Sequence, residues 1–195
     1  MNRVEHIFWD TCVIAALLSE ESDADLPSIE QFVRDARSGV CKIYASSLVA
    51  AEILPSYIKS KKYNSYERFV KDLEGSIIPI APDPNIMSLA ARLRDIPYSK
   101  KANNKDMATR KLDVRDAIML ATAIILDVGF RIKLDKFHTF DNGGKRSVAG
   151  GKGVPLLDFQ DWCALLEGPK KRLAQQVIDL NRCKPIHATP GLPGV

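Results

Sequence analysis

Short apolar runs alternate along this chain with longer stretches in which apolar residues recur every three or four positions. That alternation predicts strands followed by helices. His6-Ile7-Phe8-Trp9 reads as a strand ending at Asp10, and Thr11 to Leu18 is apolar at helical spacing. Leu26 to Ser38 reads as an amphipathic helix, with Ile29, Phe32, Val33 and Ala36 on one face and Gly39 as its stop. Val40 to Ala45 predicts a second strand. Ser46-Ser47 then offers the N-cap of a helix through Leu48, Val49, Ala51, Ile53 and Leu54, kinked or bounded by Pro55. Tyr66 to Leu73 predicts a helix stopped near Gly75, and Ser76 to Ala81 a third strand bounded by Pro82 and Pro84. Asn85 to Asp95 reads as a helix with Ile86, Leu89, Ala90 and Leu93 facing inward.

The pattern breaks at Tyr98 to Lys111. This stretch is polar and aperiodic, and reads as a basic loop. Val114 to Val128 is apolar almost all round, the mark of a buried helix, and Gly129 ends it. Ile132 to Phe140 contains a fourth strand, followed by an Asp141-Asn142-Gly143-Gly144 turn and a Gly- and Lys-rich loop to Gly153. Leu156 to Phe159 reads as a fifth strand and Asp161 to Cys183 as helix, broken near Gly168-Pro169. Strands alternating with helices imply an α/β sandwich on a mostly parallel sheet. The expected organisation is one domain over residues 1–160, a helical extension over 161–183 and a Pro/Gly-rich, disordered tail over 184–195. In such sheets ligands bind beyond the carboxyl ends of the strands.

Composition narrows the classes. No apolar run approaches a membrane span, and the first ten residues are too short and polar for a secretory signal, so a cytoplasmic protein without a membrane partner is expected. Cys12, Cys41, Cys163 and Cys183 form no C-x-x-C pair and predict neither a zinc site nor a disulfide framework. The net charge of +4 is compatible with a polyanionic partner without requiring one.

The candidate chemistry lies in four acids. Asp10 ends the first strand, as a helix N-cap or as a carboxylate at the sheet edge. Glu52 follows the second strand by about two turns and otherwise reads as a solvent-facing residue. Asp116 opens the most apolar helix, where an acid either complements the helix N-terminus or needs a partner to offset burial. Asp113, one turn earlier, is its N-cap or a further acid of the same group. Asp141 is a turn residue before Asn142-Gly143 or a fourth carboxylate, with Thr139 placed to orient it. Four such acids brought together without a cation repel one another and raise one another's pKa values. Hard oxygen donors of this kind suit Mg²⁺ or Mn²⁺.

The order of these motifs resembles that of PIN domains. Phe8-Trp9-Asp10-Thr11 with Leu17-Leu18 resembles their opening, and Ser46 through Glu52 their second motif. Asp116-Ala117-Ile118-Met119-Leu120-Ala121-Thr122-Ala123 is similar to the third, and Thr139-Phe140-Asp141 to the fourth. The resemblance covers about Val4 to Phe159. It implies a PIN-like three-layer sandwich and a metal-dependent endoribonuclease. Asp10, Glu52, Asp116 and Asp141 would hold Mg²⁺ or Mn²⁺, with Asp113 as an auxiliary and Thr11 and Thr139 supporting them. Hydrolysis of RNA would leave a 5′-phosphate and a 3′-hydroxyl. Many relatives are VapC-type toxins, which implies an antitoxin protein as partner and a homodimer.

Lys100, Lys101, Lys105, Arg110 and Lys111 precede the Asp116 helix, and Lys145, Arg146 and Lys152 follow Asp141. Each set is either solvated surface or a contact for RNA phosphates. The Gly-Gly-Lys triplets do not make a G-x-x-x-x-G-K-[ST] loop, which excludes a P-loop nucleotide triphosphatase. Two rivals stand beside the nuclease. One is a catalytically silent PIN fold acting as a binding module. The other is a haloacid-dehalogenase-like phosphatase, whose second Asp would fall where Cys12 stands.

Overall fold

Three central strands carry apolar side chains on both faces, so the sheet they build must be covered twice. The computed structural model describes residues 3–19, 26–58, 63–100, 108–143 and 153–187. In chain order the elements are β1 (Glu5–Trp9), α1 (Thr11–Ser19), α2 (Leu26–Arg37), β2 (Cys41–Ser46), the single turn α3 (Val49–Glu52), α4 (Tyr66–Leu73), β3 (Ile77–Ile80) and α5 (Pro84–Arg94). Then come β4 (Tyr98–Lys100), β5 (Ala108–Arg110), α6 (Val114–Ile124), β6 (Lys136–His138), α7 (Gly168–Ile178) and β7 (Arg182–Cys183).

The main sheet has the order β3-β2-β1-β6-β7, with every neighbouring pair parallel. Side chains alternate across it. Phe8, Tyr44 and Phe137 enter a core with α5, α6 and α7, whereas Ile7, Trp9, Ile43 and Ala45 enter a second core with α1, α2 and α4. This is the three-layer α/β sandwich expected from the alternation of elements. The helix at α6 is buried from Ala117 through Ile124 and runs on as a π turn to Gly129. Asp83 caps α5 through its carboxylate, which accepts the Ile86 N–H at 2.8 Å.

The structure departs from the periodicity in four places. The helix after β2 is one turn, not two. Ser46 and Ser47 are not its caps: Ser46 ends the strand and Ser47 donates its N–H to Ile80 O at 2.9 Å. Ile53 and Leu54 are extended ahead of Pro55, where a helical conformation would clash with the proline ring. The basic stretch is not all loop, because Tyr98–Lys100 and Ala108–Arg110 pair antiparallel. Leu156–Phe159 is not a strand; the N–H groups of Leu156 and Leu157 go to Asp141 instead. The fifth strand is β7, within the stretch read as helix, where Asn181 O and Cys183 O accept the N–H groups of Phe137 and Thr139.

The residues after β7 are also held. His187 donates its N–H to the Ser28 hydroxyl at 3.1 Å and sets its ring against Phe32. Residues 188–195 of the expected tail lie outside the described residues.

Phe137 is fully buried at the middle of the sheet, its ring stacked on Phe8 with centroids 5.2 Å apart. Phe137→Ala is expected to cost about 3–5 kcal/mol of stability, read from the urea midpoint at constant slope. A loss under about 1 kcal/mol would show that β6 is not part of the core.

Candidate active site

Asp10 lies one residue beyond β1 and Thr139 one residue beyond β6. Trp9 pairs with His138, and the Asp10 N–H continues the ladder to His138 O at 3.0 Å. That register sets the two side chains together. The Thr139 hydroxyl donates to Asp10 Oδ2 at 2.6 Å and accepts the Asp141 N–H at 3.0 Å, so one buried hydroxyl ties both acids. Cys12 Sγ donates to the same Asp10 oxygen at 3.0 Å and accepts the Phe140 N–H at 3.1 Å. Burial raises the Asp10 pKa above the usual carboxylate range; the Thr139 and Cys12 hydrogen bonds oppose the rise and Asp141 adds to it.

Glu52 reaches the same region from α3. Its carboxylate accepts a hydrogen bond from the Thr11 hydroxyl, and its side chain is only 8% exposed. Burial raises its pKa, Thr11 and Arg115 pull it down, and Asp10 and Asp113 push it up. Asp141 is fixed by backbone: Oδ1 accepts Gly143 N–H at 3.0 Å and Oδ2 accepts Leu156 N–H at 3.1 Å. Gly143 is needed for this turn, having a φ of +73°, and a Cβ there would collide with the Pro155 ring.

Asp116 differs from the other acids. Among the described residues it accepts no hydrogen bond, and a Cβ at Gly153 would stand 3.8 Å from its Oδ2. Burial, then Asp10, Asp141 and Asp113, push its pKa up to about 8. The charges of the five candidate acids thus act on one another in an unbroken chain, Asp113 included, but Asp113 is also committed to a second task. It caps α6 by accepting the Arg115 N–H at 2.9 Å. Burial would raise its pKa, but the hydrogen bonds and charge of Arg115 outweigh that and hold it below the usual value.

Carboxylate oxygens are the donors that a hard divalent cation takes. Among the described residues, however, no three His, Cys, Asp or Glu side chains stand arranged to hold a metal ion as they are. Apart from Asp116, the acids are hydrogen-bonded to protein donors. The nearby His138 is buried and neutral: desolvation lowers its pKa to about 3, and its Nδ1 accepts the Trp9 indole N–H.

The basic residues divide. Lys100 pairs with Asp161 at 2.7 Å. Arg110 lies over the Trp162 ring, 4.2 Å from its centroid, and donates to Gly153 O at 3.0 Å. Both therefore have partners within the protein, while Lys111 is exposed. Lys101, Lys105, Lys145, Arg146 and Lys152 lie outside the described residues.

Two residues at the site are not among the candidates that the sequence suggests. Cys12 carries no signal beyond adjacency to Thr11. Arg115 does carry one: a cation in the first turn of a helix opposes the helix dipole and needs a local anion. It has two, Asp113 at 3.0 Å and Glu52 at 3.5 Å.

The PIN domain model matches residues 7–147 of the chain, which span all four motifs and the five acids. No curated protein and no solved structure matches it.

An acid whose pKa is higher folded than unfolded binds more protons in the fold, so its stability contribution is lost as pH rises through the folded value. In the metal-free protein the melting temperature is expected to fall as pH rises from about 4 to about 8, the span between the ordinary and folded values of Asp116. Asp116→Asn should flatten that slope and raise the melting temperature at about pH 8. Equal slopes in the two proteins would contradict the electrostatic account. Thermal melts in chelator across this range provide the check.

Proposed function

The chain belongs to the PIN-domain family, whose members are typically nucleases, and from that premise we propose that it is an endoribonuclease dependent on Mg²⁺ or Mn²⁺. The observation that carries the reading is Asp116. A half-buried carboxylate beside Asp10 and Asp141, without a hydrogen bond among the described residues, is an arrangement that a divalent cation relieves. Asp10, Glu52, Asp116 and Asp141 would hold the metal. When bound, such an ion lowers the pKa of a water and stabilises charge on the phosphodiester oxygens.

The protein's own part is positional. Thr139 and Cys12 fix Asp10, Thr11 fixes Glu52, and two backbone amides fix Asp141. The acids are thereby held before substrate arrives, which reduces the reorganisation needed for reaction. RNA hydrolysis in this reading leaves a 5′-phosphate and a 3′-hydroxyl. The toxin role, an antitoxin partner and a homodimer belong to the same proposal and are supported by the resemblance of the motifs alone. The phosphatase reading loses its ground with the family match, and Cys12 serves Asp10 as a hydrogen-bond donor.

Purified protein is expected to cleave single-stranded RNA with Mg²⁺ or Mn²⁺ and to stop in chelator. Asp10→Asn and Asp116→Asn should each lower kcat on the order of 10²–10³-fold, the scale of a few kcal/mol of lost charge stabilisation. Circular dichroism should show both variants folded. Undiminished cleavage in the double variant would overturn the mechanism. RNA binding without cleavage by the unaltered protein would favour the silent binding module.

A further inference from the structure

An acidic cluster that must accept a polyanion needs a cation at its mouth. Lys100 and Arg110 are both engaged with partners in the protein. Arg115 is placed differently. It is in the first turn of α6, adjacent to Asp116, and its side chain is 54% exposed. Its Nε donates to Asp113 Oδ1 at 3.0 Å and lies 3.5 Å from Glu52 Oε1. Both contacts use the inner nitrogen. Among the described residues neither terminal nitrogen of the guanidinium enters a hydrogen bond.

We infer that Arg115 grips a phosphate of the bound RNA beside the acidic cluster, and that Asp113 is its anchor rather than a metal ligand. The inference rests on the nuclease reading and names the residue that brings its substrate to the site. A guanidinium presents its donors as a planar fork that matches the oxygens of a phosphate. Here one corner is tied down by two acids, which fixes the fork, while the half-exposed outer edge is left for a ligand. Asp113 is already committed to Arg115, since its carboxylate accepts both the backbone N–H and the Nε–H of that residue. Such an arrangement also offsets part of the repulsion between a phosphodiester and Glu52.

The test is steady-state cleavage of a short single-stranded RNA by full-length protein, with Arg115→Gln, Arg115→Lys and Asp113→Asn compared with the unaltered chain. Arg115→Gln is expected to raise KM about tenfold, with kcat changed less than about threefold. The salt dependence of log KM should become shallower by about 0.7, the loss of one phosphate contact on a single strand. Arg115→Lys should recover part of the KM loss, because the charge remains and the fork does not. Asp113→Asn should raise KM in the same direction and add little on top of Arg115→Gln. Mn²⁺ binding measured without RNA should not weaken in Arg115→Gln or Asp113→Asn.

An unchanged KM and salt slope in Arg115→Gln would overturn the inference, leaving Arg115 as a charge balance for Glu52. Weakened Mn²⁺ binding in Asp113→Asn would overturn the anchor role. If the unaltered protein does not cleave RNA, the nuclease reading fails by itself. Direct binding of the same RNA, followed by fluorescence anisotropy, then decides this inference: about tenfold weaker binding in Arg115→Gln supports it, while equal binding or none overturns it.

Discussion

The parallel pairing of β1 with β6 is the constraint on which the site depends. Trp9 stands opposite His138, so the next residues, Asp10 and Thr139, emerge together where the ladder ends. The pairing is held from below by Phe8 stacked on Phe137 and from the edge by β7, which takes up the remaining backbone groups of β6. A shift of one residue in this register would turn Phe137 out of its core and move the Thr139 hydroxyl away from Asp10. Packing and chemistry are therefore fixed by the same hydrogen bonds.

Desolvation, with repulsion added to it, is the cost of that placement. Asp10, Glu52 and Asp116 are all held above the ordinary carboxylate range, with burial as the first cause in each. The fold offsets this unevenly. Asp10 has a hydroxyl and a thiol, Glu52 a hydroxyl and an arginine, and Asp141 two backbone amides, while Asp116 has no hydrogen bond among the described residues. An acid without a protein donor, facing others that have them, is where stability has been given up at the centre of the site.

The segment after the Asp141 turn shows how far the supporting structure extends. Leu156 N–H holds Asp141, the backbone at Gly153 lies beside Asp116, and Arg110 holds Gly153 O from the hairpin while resting on Trp162. Arg182 of β7 donates to Leu156 O at 2.8 Å from the other side. Residues that read as a basic, RNA-facing loop and a terminal helix thus help to position the acids.

Much of this was legible in the chain itself. A short apolar run located β1, and apolar residues at helical spacing located α1, α2, α5 and α6 with its π turn, each within a residue or two, because the apolar side chains an element buries must be supplied by its local sequence. The four acids were legible as a set through their positions after strands or at the head of the most apolar helix. Other features were not. Arg182–Cys183 makes a two-residue strand only because β6 offers it an open edge, and Leu156–Phe159 fails to make one because Asp141 has taken its amides. Likewise, Cys12 became a partner of Asp10, Asp113 a partner of Arg115, and Arg110 a strut, through contacts with residues that only the fold brings near. Local sequence decides which side chains an element can present. Which donor meets which acid is decided by strand register and helix placement, and these depend on the packing of the whole chain.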